Sequence, residues 1–399
     1  MYKIDLLKHT IVNTVKSIWY GMKQKDRIFI RNIYERMMEY KTTVLSKLWD
    51  TENKESTKVL RSYLSKHLWQ NKWNDLPNKV TKIMKKFIWK IDKEKDFFCF
   101  DTVDVNKNSA KKMEGLKKVR DATRDTYWNG YVFHGVSIKW IPLLLERERI
   151  KKDEKDKTIR IDMFTNQVKN ISSLFWRWYW ILADRWYDDY KKFKLLIEHK
   201  FNFCIRLKST RNITILDWER MWEVVSQWNL TEWRYRVKIA GISQDLYIFV
   251  QTLEWQTKPI KVISNVDDPK SIEKYLKRWE IERIFKTIKQ EYNFEKIGTQ
   301  ALQKIDNLVA LVQLCMGTSA YIFNKLQAED TEEKTLLKTI TTKKLRLKKA
   351  SYFWRKETNL NRNSITNFLS YYMKFVKKMK YFFERVTLID TFVPQLSLF

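Results

Sequence analysis

The chain has 399 residues, of which 78 are Lys or Arg and 47 Asp or Glu, a formal excess of +31 spread over both halves. A field of that sign draws polyanions, so nucleic acid is the first class of partner to consider and a membrane surface the second. No apolar run reaches the roughly 18 residues of a spanning helix, the N-terminal IVNTVKSIWYGM is interrupted by Lys16 without a small-residue cleavage site, and Cys99, Cys204 and Cys315 are too scattered for a disulfide frame or a Cys-x-x-Cys zinc site. A reduced, cytosolic chain long enough for two or three domains is expected.

In chain order, residues 1–92 read as helices with basic faces, such as DRIFIRNIYERMMEYKTTVLSKLW, with no strand-like alternation. From Phe97 the pattern changes. FFCF, GYVFHGVSI and WIPLLLE are short apolar runs separated by turn chemistry and predict three successive strands. The charged loop ERERIKKDEKDK precedes a helical segment and then the run YWILAD. A second helix, DDYKKFKLLIEHK, leads to the strand FNFCIRLK. Strand, strand, strand, helix, strand, helix, strand describes an α/β layer. Residues 209 to about 265 read as mostly β (RYRVKIAG, DLYIFVQTL, KPIKVISN). A helix follows, and from Gln300 onward the chain is helical and basic, with KKLRLKK at Lys343–Lys349. That basic run is usually a solvated face, although in so basic a chain it can track phosphates.

Two aspartates stand out by position. Asp101 follows FFCF and Asp184 follows YWILA, which places each at the predicted C-terminal end of a buried strand, where ligand chemistry collects in open α/β sheets. Either alone is more simply a turn or helix-cap aspartate. Together with a helical glutamate they make an all-oxygen set suited to Mg²⁺, and two such ions can hold the attacking and leaving oxygens of a phosphoryl displacement. Asp104 competes with Asp101 for the first position. The helix after the β segment, YLKRWEIERIFKTIK, places Tyr275, Arg278, Glu282 and Lys289 within roughly a 60° arc beside an apolar stripe of Ile281, Ile284, Phe285 and Ile288. The plain alternative is a solvated edge with Glu282 paired to Lys286 at i,i+4. His9, His67, His134 and His199 show no metal-ligand spacing, and most of the aromatic residues are expected in the core rather than stacked on bases.

The spacing Tyr275-x2-Arg278-x3-Glu282-x6-Lys289 resembles the signature of the bacterial insertion-sequence DDE transposases. FDTVDVNKNSAKKMEGLKKVRDATRD with NGYVFHGV resembles that family's first-aspartate region, and ILADRWYDD with FCIRLK its second. Three blocks in the family's order cover about residues 97–290. The resemblance implies a fold and a domain plan: an RNase H-like α/β core, a mixed sheet with flanking helices, over residues 93–299. A β subdomain is inserted at about 209–265, a helical basic DNA-end-binding domain lies at 1–92, and a helical C-terminal region for dimerisation or DNA contact lies at 300–399. It implies a catalytic and metal-binding triad of Asp101, Asp184 and Glu282, two Mg²⁺ ions replaceable by Mn²⁺, and DNA phosphate contacts from Tyr275, Arg278, Lys289, Arg185 and Arg206. Trp255 is a weak candidate for the family's base-stacking tryptophan. The implied activity is cut-and-paste transposition on double-stranded DNA, through a hairpin intermediate, by a homodimer in the bacterial cytosol. A nuclease without strand transfer, or a decayed transposase that only binds DNA, are the alternatives.

One departure is informative. After the second aspartate and its arginine the family places glycine, and here Trp186 stands. Trp128, Trp228 and Trp255 also occupy predicted turn positions that suit glycine. The chain holds 7 Gly and 18 Trp, where ordinary usage near 7% gives about 28 Gly. Either some tryptophans are glycines read through the wrong code, or an AT-biased genome has depleted Gly codons.

Overall fold

The computed structural model describes residues 33–34, 37–38, 75–88, 91–107, 110, 112–121, 126–148, 156–175, 179–208, 211–216, 222–226, 230, 233–254, 258–297 and 301–328. The expectations for most of 1–92, for KKLRLKK, and for His9, His67, Trp228 and Trp255 fall outside these residues. The chain divides into two compact units, one of Met1–Ile83, Glu291–Gly298 and Ala310–Phe399, the other of Met84–Gln290 and Thr299–Val309.

The second unit holds one eleven-stranded sheet. Its strands are β1 (Phe98–Asn106), β2 (Lys117–Asp121), β3 (Thr126–Ile138), β4 (Ile141–Arg147), β5 (Trp180–Ala183), β6 (Asn202–Arg206), β7 (Asn212–Leu216), β8 (Trp222–Ser226), β9 (Arg234–Lys238), β10 (Leu246–Gln251) and β11 (Ile260–Ser264). The described helices are α1 (Leu76–Phe87), α2 (Asp156–Leu174), α3 (Tyr190–Glu198), α4 (Ser271–Leu276), α5 (Trp279–Gln290) and α6 (Leu302–Ala328). The path of the sheet is β2-β3-β1-β5-β6-β11-β10-β9-β7-β8, with β4 also on β3. β1, β3 and β4 form an antiparallel meander, whereas β1, β5 and β6 run parallel and are joined through α2 and α3. This is the expected α/β, RNase H-like core. The inserted β segment is not detached from it: β11 pairs antiparallel with β6, so β7–β11 extend the same sheet.

The core strands carry near-continuous apolar runs because both faces are covered. On one face Phe100 packs edge-on to Phe164 of α2, 5.5 Å between centroids, with Tyr187 against both rings. On the other face lies α5, whose Ile281, Ile284, Phe285 and Ile288 are buried at helical spacing. Gly135 on β3 admits that helix, since a Cβ there would stand 2.6 Å from the Phe285 ring. β3 and β4 are joined by the two-residue turn Lys139-Trp140, both with positive φ (54° and 65°), the type I′ pattern of tight hairpins. In the first unit the Tyr34 hydroxyl donates to Thr318 Oγ1 at 2.6 Å. Among the described residues no helix is long and apolar enough to cross a membrane.

Candidate active site

Parallel pairing of β1 with β5 runs Phe98 to Ile181, Cys99 to Leu182 and Phe100 to Ala183, and stops there. The next residue on each strand is an aspartate, Asp101 and Asp184, so the register alone sets the two carboxylates side by side. Asp184 directly follows the end of its strand, as expected. Asp101 does not: β1 continues to Asn106, and Asp101 is the fourth of its nine residues. The long strand β3 pairs with β1 from Cys99 through Asn106 and keeps it extended after β5 has turned away into the 3-10 turn Arg185–Tyr187.

The helix expected to run through Tyr275, Arg278, Glu282 and Lys289 is broken. α4 ends at Leu276 and α5 starts at Trp279. Between them Arg278 N donates to Tyr275 O at 3.0 Å and Ile281 N to Arg278 O at 3.1 Å, tight i to i−3 bonds. Tyr275 and Arg278 are therefore not on a solvated edge. They are 2% and 5% exposed. The Tyr275 hydroxyl lies 3.5 Å from Asp184 Oδ1. Arg278 Nη1 donates to Asp101 Oδ2 at 2.9 Å, and Nη2 donates to Glu282 Oε1. Glu282 thus pairs with Arg278, one turn before it, and not with Lys286, which is exposed.

Burial pushes the Asp101 carboxyl up to about 7; Arg278 and the Thr102 N–H pull it down, and the Glu282 and Asp184 carboxylates push it further up. Burial likewise raises the Tyr275 phenol to about 12. For Arg278 burial acts to lower the pKa, but Tyr275, Asp101, Glu282 and Asp184 outweigh it and hold the guanidinium protonated. Asp101, Asp184 and Glu282 suit a hard divalent cation in donor chemistry, being all-oxygen and close enough to repel one another. Among the described residues, no three acidic, His or Cys side chains are gathered as a ready metal cage; Arg278 stands between two of the three.

The remaining expected contacts surround this cluster unevenly. Arg185, the first residue of the 3-10 turn, is exposed, and Arg206 at the end of β6 is half-buried, its charge reaching the Tyr275 phenol. Lys289 lies two turns beyond Glu282, and its charge acts on Asp104. Trp186 is 59% exposed directly after Arg185. Trp128, expected in a turn, is instead within β3 opposite Val119. His134 is a buried core histidine whose Nε2 lies 3.3 Å from Glu148, a carboxylate that also meets Lys117 at 2.8 Å.

Sequence reasoning did not single out Asp188. Its carboxylate is fully buried, accepting from Lys208 N at 2.7 Å and facing Arg211 Nη2 at 2.6 Å; its carbonyl accepts from Lys208 Nζ and Arg211. Lys192 Nζ donates to Trp186 O at 2.9 Å. The turn that follows Asp184 is thereby tied to the segment leaving β6. The doubled aspartate in ILADRWYDD is the only local signal, and the second of the pair, Asp189, is the N-cap of α3.

Residues 152–316 match the family model of the transposase DDE domain, a span that takes in Asp184 and Glu282 and begins after Asp101. A piggyBac transposase, solved by cryo-EM as a synaptic complex with hairpin DNA, is similar at a TM-score of 0.49 and 11% identity, over 94% of this chain and 79% of its own. No curated protein matches the chain.

Proposed function

We propose that this chain, whose residues 152–316 match the family model of the transposase DDE domain, is an insertion-sequence DNA transposase that cuts and rejoins DNA at Asp101, Asp184 and Glu282. The observation that carries the reading is the β1–β5 register, which ends parallel pairing at Phe100 and Ala183 and puts an aspartate next on each strand. Arg278 joins Asp101 to Glu282 and completes the set.

The substrate is double-stranded DNA at the element's ends. In the first step a water oxygen bonds to a backbone phosphorus and the bond to O3′ breaks, leaving a 3′-OH and a 5′-phosphate. That hydroxyl then attacks a phosphorus of the opposite strand, whose bond to the flanking O3′ breaks, closing a hairpin and releasing flanking DNA with a 3′-OH. Water reopens the hairpin by breaking the same kind of bond, and the freed 3′-OH attacks a target phosphorus with release of the target's 3′-OH. Asp101, Asp184 and Glu282 would hold divalent ions, Mg²⁺ or Mn²⁺. When bound, such ions supply Lewis acidity to the phosphoryl oxygens as charge develops there. Arg185 and Lys289 hold backbone phosphates as charges at either side of the cluster, Arg206 adds a third, and Tyr275 holds Asp184 through its hydroxyl. Pairing two ends calls for two active sites, hence a homodimer on DNA. We assign DNA-end binding to residues 1–92 and dimerisation or further DNA contact to 300–399, flanking the catalytic core.

The test uses the DNA flanking the gene, where this reading expects terminal inverted repeats. Full-length protein with Mg²⁺ should nick a duplex carrying the repeat at its end, form a hairpin, and join the end to a target plasmid. Asp184→Asn and Glu282→Gln should abolish nicking while gel-shift binding persists, because binding is mostly phosphate electrostatics. Nicking without joining would reduce the protein to a nuclease, and binding without nicking to a DNA-binding protein.

A further inference from the structure

Arg278 has a position that a phosphate contact alone does not explain. A phosphate-binding arginine waiting for DNA is ordinarily solvated, whereas Arg278 is 5% exposed and divides its guanidinium between Asp101 and Glu282. The charges it neutralises are the very carboxylates assigned to divalent cations. We propose that Arg278 is a placeholder cation: in the DNA-free protein it occupies the carboxylates, and a DNA phosphate draws it off and opens them to metal. This inference rests on the reading of Asp101, Asp184 and Glu282 as the metal-binding set.

The physical case has three steps. The Asp101 carboxylate, its side chain 14% exposed, needs a compensating cation, since an uncompensated buried charge is costly, and the half-exposed Glu282 adds a second negative charge to the same guanidinium. Arginine cannot supply room for a metal by losing its proton, so it leaves only by moving. A phosphate is the one partner arriving with DNA that offers the planar guanidinium a two-pronged replacement for the carboxylates it gives up. Arg278 is placed to make that exchange: it sits at the break between α4 and α5, its Nε has no hydrogen-bond partner, and the Tyr275 ring lies 5.4 Å from its guanidinium carbon. Metal loading and DNA binding then strengthen each other by the same factor. The consequence for the element is that the hydrolytic centre loads metal more readily once DNA is in place.

Calorimetric titration of Mn²⁺ into the full-length protein, with and without a duplex bearing the terminal repeat, tests this without reading activity. In the absence of DNA, Arg278→Gln should bind Mn²⁺ about tenfold or more tightly than wild type, within the usual 5–150-fold range of site coupling. The duplex should tighten Mn²⁺ binding to wild type by more than it does for Arg278→Gln. Equal or weaker Mn²⁺ binding by DNA-free Arg278→Gln overturns the proposal. If Arg278→Gln fails to fold, Arg278→Lys is measured instead: a single-point cation bridges two carboxylates less well, so Mn²⁺ should bind more tightly than to wild type, and an unchanged affinity overturns the proposal. Asp101→Asn and Glu282→Gln serve as the control for the underlying reading. If they leave Mn²⁺ binding intact, the metal-site assignment itself fails; if they abolish it while the Arg278 variants change nothing, only the placeholder role fails.

Discussion

Asp101 and Asp104 lie three residues apart on β1 and face opposite sides of the sheet. Asp101 reaches Arg278 on the side where α5 packs, whereas Asp104 shares its parity with Phe100, whose ring meets Phe164 of α2. Only Asp101 can join Asp184 and Glu282. Asp101→Asn should therefore reduce metal-dependent end cleavage by more than the roughly 10–100-fold typical of losing an outer-shell partner. Asp104→Asn should stay within about tenfold of wild type, no more than the low end of that range. A single-turnover nicking assay on both variants decides the point, and the reverse order would move the first ligand to Asp104.

The buried carboxyl of Asp101 also makes a prediction about stability. Its ordinary pKa of 3.8 rises to about 7 on folding, so between those values the folded protein keeps a proton that the unfolded chain has released. Stability contributed by this group is complete below about 3.8 and falls as pH rises through the window, reaching its full cost above about 7. Asp101→Asn removes that cost. In metal-free buffer at pH 8 the inactive variant should be the more stable one, by on the order of 1–4 kcal/mol, with the gap narrowing toward pH 4. Melting curves across that range check it, and a gap that does not change with pH contradicts it.

The strands that build the core were legible because β1, β3, β4, β5 and β6 are buried apolar runs with turn residues between them. β2 escaped notice because KKVRD offers one buried apolar side chain, Val119, on an otherwise charged edge. The extent of β1 beyond Asp101 was written in the alternation of Val103 and Val105, both buried, but the polar residues between them read as a turn. On the glutamate helix, the 3.6-residue period located Ile281, Ile284, Phe285 and Ile288 correctly. It carries no information about the i to i−3 bonds that break the helix at Arg278 and turn Tyr275 inward. Asp188 depends on Arg211, 23 residues away, a pairing that no local spacing encodes.

Asp188 is expected to matter for stability more than its place in a loop suggests. Its carboxylate is buried against Arg211 and the Lys208 N–H, and truncating one partner of such a pair leaves the other without compensation. Asp188→Ala should destabilise the protein by about 3–5 kcal/mol. Asp188→Asn, which keeps an acceptor for Lys208 N, should cost less. Denaturant unfolding of the two variants separates the lost charge from the lost hydrogen bond: equal costs would mean that the Lys208 hydrogen bond contributes nothing, and no cost in Asp188→Asn would mean that the charge facing Arg211 contributes nothing.

Salt dependence distinguishes residues that hold DNA from residues that merely carry charge. Arg185 is exposed beside Asp184, and Lys289 lies two turns along α5 from Glu282. Each replacement by Ala should lower the slope of log K against log salt for end binding by about 0.9 for every phosphate that is no longer neutralised. Lys286→Ala, on the exposed side of the same helix, provides the comparison. If Arg185→Ala and Lys289→Ala show the Lys286→Ala slope, neither holds a phosphate.

The surplus of tryptophan over glycine has a sharper test in the β3–β4 hairpin than at the turn after Asp184. Trp186 lies in a 3-10 turn, where φ is negative, so any preference for glycine there comes from the approach of DNA to an exposed indole. Trp140 is different. It is the second residue of a two-residue turn at φ 65°, the position where type I′ hairpins take glycine, and a left-handed conformation costs a side chain roughly 1–2 kcal/mol. The Arg283 guanidinium 5.7 Å from the Trp140 ring offsets part of that cost, so Trp140→Gly should be neutral or stabilising by up to about 1 kcal/mol. The codons give the decisive reading, because UGA specifies tryptophan in some bacterial codes and glycine in others. If the tryptophans are misread glycines, Trp140 and Trp186 are UGA in the gene, while Trp279, the first residue of α5 and not a turn position that suits glycine, is UGG. Mass spectrometry of the native protein would then show glycine at 140 and 186, and a recombinant protein carrying Trp140→Gly and Trp186→Gly would cleave DNA faster than the sequence as written. UGG at both positions rejects the misreading and leaves codon depletion as the cause of the missing glycines.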